Sequence, residues 1–227
     1  PLWSPLSNID LFVNVSSGFR APSLYQLYSE YGTLSLSPET SINTEVGVSI
    51  YSNAYGTMAR IVAYQRDIEN AIEFVTDKNF ISSYQNVGSE FNRGIEMEVE
   101  SFVGKSLQMA ANVTYQEGHR LQNGRKQNTA IRRPNMIGGL RMLWRPSPQW
   151  TLTSSAKYIG SREKGPFDPG PETLDEAWLF GAQVKWAPLE AWSISASIMN
   201  AFDTSFTEIP GYRSAGRHGF VRLIFSL

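Results

Sequence analysis

Apolar and polar residues alternate along the C-terminal end of the chain, and similar alternation recurs through most of the sequence. Between residues 192 and 199 every second position is apolar and the positions between are mostly serine; the apolar set is Trp192, Ile194, Ala196 and Ile198. The final segment repeats the pattern, with Val221, Leu223, Phe225 and Leu227 on one side. A period of two is that of a β-strand whose two faces meet different surroundings. The sequence therefore predicts β-strands rather than helices.

The same alternation predicts about ten strands over the whole chain. Their approximate ranges are 11–19, 46–50, 58–73, 95–103, 107–116, 136–144, 150–158, 178–186, 192–199 and 221–227. Short turns such as 104–106 and 145–149 alternate with long loops such as 20–38, 119–128 and 162–173. Because consecutive antiparallel strands reverse direction, the short turns lie at one edge of the sheet and the long loops at the other.

Tryptophans flank two of the short turns, as the pairs Trp144 with Trp150 and Trp186 with Trp192. Outer-membrane barrels have short periplasmic turns, longer extracellular loops and an aromatic girdle at each interface. We therefore predict an all-β fold, a transmembrane antiparallel β-barrel in contact with the outer-membrane lipid of a Gram-negative bacterium. A soluble β-sandwich also has alternating strands, but it gives no reason for an apolar face on nearly every strand.

Composition narrows the class of protein further. The 227 residues are 41% hydrophobic and 18% charged, with a mean hydropathy of -0.27, although lipid-facing and lumen-facing residues cancel in such an average. No apolar run reaches the roughly 18 residues of a transmembrane helix. A net charge of -1 gives no basic surface for nucleic acid, and the absence of cysteine excludes disulfides and thiolate metal sites. The chain starts at Pro1 without a signal peptide, so we expect a processed protein or a fragment.

Charged residues fall opposite the apolar sets. Glu96, Glu98 and Glu100 alternate with apolar neighbours; they could form a metal ladder, but a hydrated lumen explains ionised groups at this period more simply. Arg141, Lys157 and Lys185 are also predicted on the lumen side. The pair 132–133 (RR) is compatible with an anion site or with a solvated strand entry.

Several short motifs resemble the C-terminal half of TonB-dependent outer-membrane receptors. They are residues 18–28 (GFRAPSLYQLY), 36–39 (LSPE), 45–47 (EVG), 84–88 (YQNVG), 93–96 (RGIE), 132–134 (RRP), 200–203 (NAFD) and 210–217 (PGYRSAGR). These motifs follow the family's order, and the resemblance runs essentially from end to end of the chain.

The resemblance implies that residues 1–227 form the C-terminal portion of a plugged barrel of about 22 strands. An isolated arc of ten strands has two unpaired edges, which lipid does not tolerate. The remaining strands and the plug would come from the same receptor or from a second polypeptide, and the plug would carry the segment that contacts TonB. The resemblance implies active uptake of a large scarce nutrient, with no cofactor and no enzymatic chemistry.

Among the subfamilies, the chain is most similar to the cobalamin (vitamin B12) receptors, on residues 21–32 and 211–217. Ferric siderophore and haem receptors of the family are the alternatives. Haem receptors typically have a histidine between the FRAP stretch and an NPNL stretch, whereas residues 19–38 contain no histidine and SLSP (35–38) replaces the second motif. The ligand is therefore expected to be cobalamin or an iron chelate.

Six loop residues are the candidates for ligand contact, namely Arg20, Tyr25, Tyr28, Tyr31, Tyr212 and Arg217. Tyrosine offers a broad ring with a polar tip at low ordering cost, which suits a large amphipathic ligand. A packed loop or an outer aromatic girdle would explain the tyrosines equally well.

Two other functions remain open on sequence alone. A ten-stranded outer-membrane protease would close by itself and use histidine and aspartate at its outer rim, with His218 and Asp168 or Asp175 as its candidates. A plain diffusion porin is the other transport interpretation. Cleavage of basic peptides by the isolated chain would indicate the protease, and plug sequence upstream in the gene would exclude the porin.

Overall fold

A computed structural model of the protein describes residues 2–122, 125–128, 132–165 and 168–225. The predicted continuation of the last strand to Leu227 lies outside these residues. The described chain has one short helix, α1 (Leu24–Tyr28), and strands β1 (Leu2–Leu6), β2 (Ile9–Arg20), β3 (Glu39–Ser52), β4 (Thr57–Glu69), β5 (Ile72–Thr76), β6 (Ser82–Asn86), β7 (Ser89–Val103), β8 (Leu107–Gln122), β9 (Arg125–Asn128), β10 (Met136–Ser147), β11 (Trp150–Ile159), β12 (Arg162–Glu163), β13 (Thr173–Leu174), β14 (Ala177–Leu189), β15 (Trp192–Met199) and β16 (His218–Phe225).

One antiparallel sheet contains most of these strands. Its order is β1-β2-β3-β4-β7-β8-β10-β11-β14-β15-β16, with β9 paired to β8, while β5–β6 and β12–β13 form separate two-stranded hairpins. Ten of the strands on this path are the ten predicted ones, and β1 is an additional short strand at the edge. Short turns (53–56, 104–106, 148–149 and 190–191) alternate with long connections (21–38, 70–88, 160–176 and 200–217). The predicted alternation of short turns and long loops is confirmed.

Cross-strand pairing keeps the two faces of the sheet distinct. One row of paired positions is apolar apart from its glycine and runs through Val48, Ile61, Met97, Val113 and Gly138. The adjacent row lies on the opposite face, is mostly polar and runs through Ser49, Arg60, Glu98, Asn112 and Gly139. Since side chains alternate between faces, the sheet has an apolar outer face and a polar lumen face.

The apolar face has no second sheet packed against it in the described part of the chain. The substantial contacts between strands all join hydrogen-bonded neighbours, and Met97 and Met109 on the outer face are 44% and 37% exposed. A soluble sandwich would bury these side chains between two layers. The sandwich interpretation is therefore wrong, and the sheet is a section of barrel wall.

Aromatic side chains form a band at each end of the outer face. Beside the short turns, the rings of Trp150 and Trp186 stack with centroids 5.9 Å apart. Beside the long loops, Tyr158 and Trp178 lie 4.9 Å apart. The nine residues from Trp150 to Tyr158 extend over about 26 Å, as eight steps of about 3.3 Å each. After strand tilt, that length spans most of the apolar band of about 25 Å found in such barrels.

Two glycines of the motifs make room for lumen aromatics. A Cβ on Gly47 would lie 2.3 Å from the ring of Phe12, and one on Gly94 would lie 2.6 Å from the hydroxyl of Tyr64. Each ring therefore covers the backbone of the neighbouring strand, an arrangement that fixes strand register. This packing explains the glycines of the EVG and RGIE motifs.

Two predicted boundaries are wrong. The strand expected over 58–73 ends at Glu69 because Asn70 adopts a left-handed φ of 55°, a conformation that asparagine tolerates. Residues 72–76 belong instead to the separate hairpin β5–β6. The loop expected over 119–128 is largely a hairpin, since β8 continues to Gln122 and pairs with β9.

Within the described residues, no helix has the length and apolar character required to cross a membrane.

Candidate functional site

The long connections at one edge of the sheet pack into two groups. The first, called here the proximal loop body, consists of loop 21–38 and residues 70–88 with hairpin β5–β6. Its helix α1 is closed by a capping box, in which Ser23 Oγ accepts from the Gln26 amide at 3.2 Å and Gln26 Oε1 accepts from the Ser23 amide at 2.8 Å. This cap lets a helix of only five residues persist at the surface.

An aromatic cluster joins the two parts of the proximal loop body. The ring of Phe74 on β5 lies 5.3 Å from both Tyr31 and Tyr84, and Tyr25 lies 6.1 Å from Tyr84. Tyr25 remains 59% exposed, whereas Tyr31 is half-buried. Tyr28 lies outside the cluster and is 70% exposed. The structure thus brings Tyr25 and Tyr31 together in packing and leaves Tyr28 free at the surface.

A single asparagine also ties the proximal loop body together. The side chain of Asn86 accepts from the Ser37 amide at 2.9 Å and donates to the carbonyl oxygens of Ser37 and Asn70, at 2.9 and 2.6 Å. It therefore links loop 21–38 with both ends of the insertion. Asn86 is the asparagine of the YQNVG motif, and sequence reasoning gave it no role.

Arg20 is occupied by an ion pair. Its guanidinium binds the carboxylate of Glu39 on the neighbouring strand, and Glu39 also accepts from the Ile72 amide at 2.7 Å. Arg120 of β8 similarly binds Glu73 of β5. These bonds fix hairpin β5–β6 to the end of the sheet, and the side chain of Arg20 takes part in them while remaining 59% exposed.

The second group, the distal loop body, consists of residues 132–135, 160–176 and 200–217 in so far as they are described. Asn200 is buried at 7% exposure, has a left-handed φ of 48°, and bonds the amide and carbonyl of Thr204, both at 2.9 Å. Asp203 accepts from the Arg217 amide at 2.7 Å. The two polar residues of the NAFD motif therefore shape the last loop.

An ion pair and a hydrogen bond join the three connections of the distal loop body. Arg132, with φ 60°, binds both oxygens of Asp168, whose side chain is 7% exposed. Buried Arg162 donates to the carbonyl of Thr207. Arg132 thus holds a carboxylate of this chain while its side chain remains 50% exposed, as at a solvated strand entry.

The two remaining candidates lie on the distal loop body. Tyr212 is 74% exposed, and its amide donates to the Ile209 carbonyl at 3.1 Å. Arg217 is exposed, and its amide donates to Asp203. Tyr212 and Arg217 therefore present free side chains at the surface, as Tyr28 does on the proximal body.

Neighbouring charged groups shift the pKa of two side chains in the loops. Hydrogen bonds from Arg132 lower the pKa of the Asp168 carboxyl, so the pair stays ionised well into the acid range. The neighbouring Glu30 carboxylate raises the pKa of the Tyr31 phenol, which therefore remains protonated at neutral pH.

The lumen face divides into two regions of opposite charge. Strands β2–β7 carry the acidic arc, defined as Asp10, Glu45, Glu96, Glu98 and Glu100. Strands β10–β16 carry the basic arc, defined as Arg141, Lys157, Lys185 and Arg222. The predicted lumen position of the glutamates is confirmed, and the charge division was not foreseen.

No group of three or more metal-ligating side chains occurs among the described residues. Two of the three protease candidates are engaged elsewhere: Nδ1 of His218 lies 2.8 Å from the Gly216 carbonyl, and Asp168 binds Arg132. The sheet also does not close on itself, since in the described structure β1 pairs only with β2 and β16 only with β15. A self-closed ten-stranded protease does not fit this arrangement.

A family model described as TonB dependent receptor-like, beta-barrel matches residues 2–201. The chain belongs to the TonB-dependent receptor β-barrel family. β-Barrels of this family are outer-membrane proteins of Gram-negative bacteria, and the family consists of transport receptors.

Solved structures similar to the chain are plugged barrels. The ferric-catecholate import receptor Fiu from Escherichia coli K12 has a TM-score of 0.77 at 18% identity, over 98% of this chain and 33% of that one. The ferric enterobactin receptor PfeA from Pseudomonas aeruginosa has a TM-score of 0.79 at 17% identity, over 100% of this chain and 39% of that one. The copper transporter OprC has a TM-score of 0.80 at 13% identity, over 99% of this chain and 38% of that one. The chain thus spans between a third and two fifths of the length of these structures.

Proposed function

We propose that residues 1–227 form the C-terminal part of the barrel of an outer-membrane receptor that takes up a scarce metal chelate with energy delivered through TonB. The observation that carries the proposal is the open sheet: its outer face is apolar, yet β1 and β16 each lack a neighbour on one side. Unpaired edges in lipid leave backbone groups without partners. The remaining strands and the plug, from the same receptor or a second polypeptide, supply those partners.

The loop bodies are the outer binding surface in this proposal. They are fixed internally by Asn86, Asn200 and ion pairs, so a ligand meets a largely formed surface rather than mobile loops. Pre-formed surfaces bind at lower entropic cost. TonB then acts on the plug, and the ligand passes along the lumen face without covalent chemistry on this chain.

Among the six candidate ligand residues, Tyr28, Tyr212 and Arg217 are the ones we assign to direct contact. Their side chains are exposed and none takes part in the aromatic cluster. Tyr25 contributes its exposed edge from within the cluster. Arg20 and Tyr31 act indirectly, through Glu39 and Phe74.

Two ligand classes compete. Cobalamin is supported by the motifs at residues 21–32 and 211–217. A ferric siderophore is supported by the similarity to Fiu and PfeA, which are receptors for ferric catecholate and ferric enterobactin. Both are metal chelates too large for passive diffusion, so the transport mechanism is the same for either.

Uptake by cells that produce the intact receptor tests the function. Radiolabelled cyanocobalamin, ferric enterobactin, a neutral ferric trihydroxamate and haem are supplied to paired strains with and without TonB. We expect concentrative uptake of one of them in the TonB-containing strain only. Equal uptake in both strains would indicate a diffusion porin and contradict the proposal.

A further inference from the structure

We propose that the lumen face of β10–β16 attracts anions and guides a negatively charged metal chelate past the plug, with a recess beneath loop 200–217 as its outermost binding position. This inference rests on the proposed uptake function and specifies the substrate class as polyanionic.

The first observation is the uniform sign of charge on this part of the wall. In the described strands β10, β11 and β14–β16, the lumen-facing positions include the four cations of the basic arc and no carboxylate. The lumen-facing positions of β2–β7 carry the five carboxylates of the acidic arc together with other charged residues, among them the cations Arg60 and Arg66. A stretch of wall with one sign of charge concentrates ions of the other sign next to it, because low-dielectric walls focus the field.

The second observation is that the basic arc is not neutralised within the described chain. The ion pairs found there involve Arg20, Arg93, Arg120, Arg132 and Lys164 only. On the acidic arc, Glu100 accepts from Gln108, and Arg60 lies 4.9 Å over the ring of Phe12. The cations of the basic arc therefore remain available to a ligand.

The third observation is a recess of about 670 Å³ on this wall. Its charged and aromatic lining consists of Lys157, Phe206, Glu208, His218, Phe220 and Arg222. Loop 200–217 contributes Phe206 and Glu208, so the recess lies at the end of the wall next to the long loops. Its volume is within the range of about 300–1,000 Å³ typical of small-molecule sites.

Small side chains create the space in this recess. Ser155, Gly181 and Ser197 lie on the lumen face of three adjacent strands and line it. Phe206 and Phe220 line the same recess as Lys157 and Arg222. Aromatic rings next to cations suit a ligand that combines flat apolar groups with negative charge, as an aromatic anionic chelate does.

An acidic surface of the plug is the competing occupant of the basic arc. The concave shape of the recess and its position under a loop favour a small ligand that enters from the loop side. Uptake and pyrophosphate binding by variants of the receptor distinguish the two occupants.

Uptake by the intact receptor is compared for ferric enterobactin, which is trianionic, and for cyanocobalamin and a neutral ferric trihydroxamate. We expect TonB-dependent uptake of the anion, reduced about tenfold by the double variant Lys157→Gln with Arg222→Gln and unchanged by the matched acidic-arc variant Glu98→Gln. TonB-dependent uptake of a neutral chelate instead, or of the anion without loss in the double variant, overturns the inference and leaves the proposed function intact. Loss of TonB dependence for every chelate counts against the proposed function itself.

A probe that does not depend on the natural ligand tests the wall directly. Inorganic pyrophosphate is titrated against the purified intact receptor by calorimetry at low salt. We expect binding that weakens about tenfold in the double variant and is unaffected by Glu98→Gln. Absence of pyrophosphate binding in the unaltered receptor means that the plug covers the wall and overturns the proposal; equal binding by both proteins does the same.

Discussion

Strands β2–β8 and strands β10–β16 present the same kind of surface to the outside of the sheet but carry opposite charge towards the lumen. Outside, both halves show mainly aliphatic residues along the strands, because hydrocarbon accepts little else. Inside, the first half carries the acidic arc and the second half the basic arc. Lipid therefore constrains one face of every strand, while the other face remains free to vary with function.

The loop bodies next to the two halves also differ, in the interactions that hold each of them together. The proximal body is held mainly by the rings around Phe74 and by the Glu39 and Glu73 ion pairs to the sheet. The distal body is held by polar bonds between loops, from Arg132, Arg162 and Asn200. Each body nevertheless depends on one asparagine that bonds several backbone groups.

The largest effect is expected from charge on the outer face, and it should be equal in the two halves. Met97→Arg and Ala182→Arg place a cation near the middle of the apolar band and should each cost about 2–4 kcal/mol of folding free energy. The lumen-facing control Thr114→Arg should cost less than about 1 kcal/mol. Urea titration of the receptor folded into vesicles measures all three. A cost for Thr114→Arg as large as that for Met97→Arg would contradict the assignment of faces.

The next largest effect tests the two asparagines. Asn200→Ala leaves the part-buried amide and carbonyl of Thr204 without partners, and Asn86→Ala removes bonds to the more exposed backbone of Ser37 and Asn70. An unsatisfied buried group costs about 1–3 kcal/mol, so the loss should be larger for Asn200→Ala. Limited proteolysis should show cleavage confined to the distal body in Asn200→Ala and to the proximal body in Asn86→Ala. The exposed control Ser205→Ala should digest like the unaltered protein; cleavage in both bodies by either variant would show that they are not separate units.

A pH effect should appear in the distal body. Arg132 lowers the pKa of Asp168 in the folded protein, so the stabilisation is fully present above the ordinary aspartate pKa and is lost as pH falls below about 4 through the lowered value. Protease resistance of the distal loops should be constant from pH 8 to 5 and should fall in stronger acid. Asp168→Asn removes the ion pair, so its distal loops should be cleaved at neutral pH as those of the unaltered protein are in acid. If the distal loops of the unaltered protein resist protease in strong acid as well as they do at pH 7, the pair does not have this role.

The smallest effect concerns the aromatic cluster. Phe74→Leu keeps most of the apolar volume and removes two edge-to-face contacts, each worth about 0.5–1.5 kcal/mol. Hydrogen exchange of the Tyr84 amide, which donates to the Tyr31 carbonyl at 3.0 Å, should quicken modestly. The control Phe80→Leu changes a ring that is 89% exposed and should leave exchange unchanged.

Alternation along the chain was sufficient to predict the barrel wall, because successive side chains of a strand point to opposite faces of the sheet. All ten long strands, the short turns and the tryptophan band followed from it. The strand limits near Asn70 and Gln122 could not be predicted in this way. Neither a left-handed residue nor a hairpin that extends beyond the sheet changes the alternation of apolar and polar residues.

The candidate site was only partly accessible from sequence. Exposed Tyr28 and Tyr212 agree with a binding surface, but Arg20 pairs with Glu39 across 19 positions in the chain, a contact that only register reveals. Asn86 and Asn200 lay within quoted motifs without an assigned role. The division of lumen charge was visible in principle, because Lys157, Lys185 and Arg222 share a face with no carboxylate between them.

The most direct test of the two-faced wall uses the absence of cysteine from the chain. Single cysteines are introduced at adjacent positions of each half, Met97→Cys and Glu98→Cys, then Ala182→Cys and Gln183→Cys, and are labelled with a fluorophore in the intact receptor in vesicles. Nitroxide-labelled lipid should quench the fluorophores at positions 97 and 182, while a water-soluble quencher should reach those at 98 and 183. Failure of the lipid quencher to distinguish 97 from 98 and 182 from 183 would contradict the account.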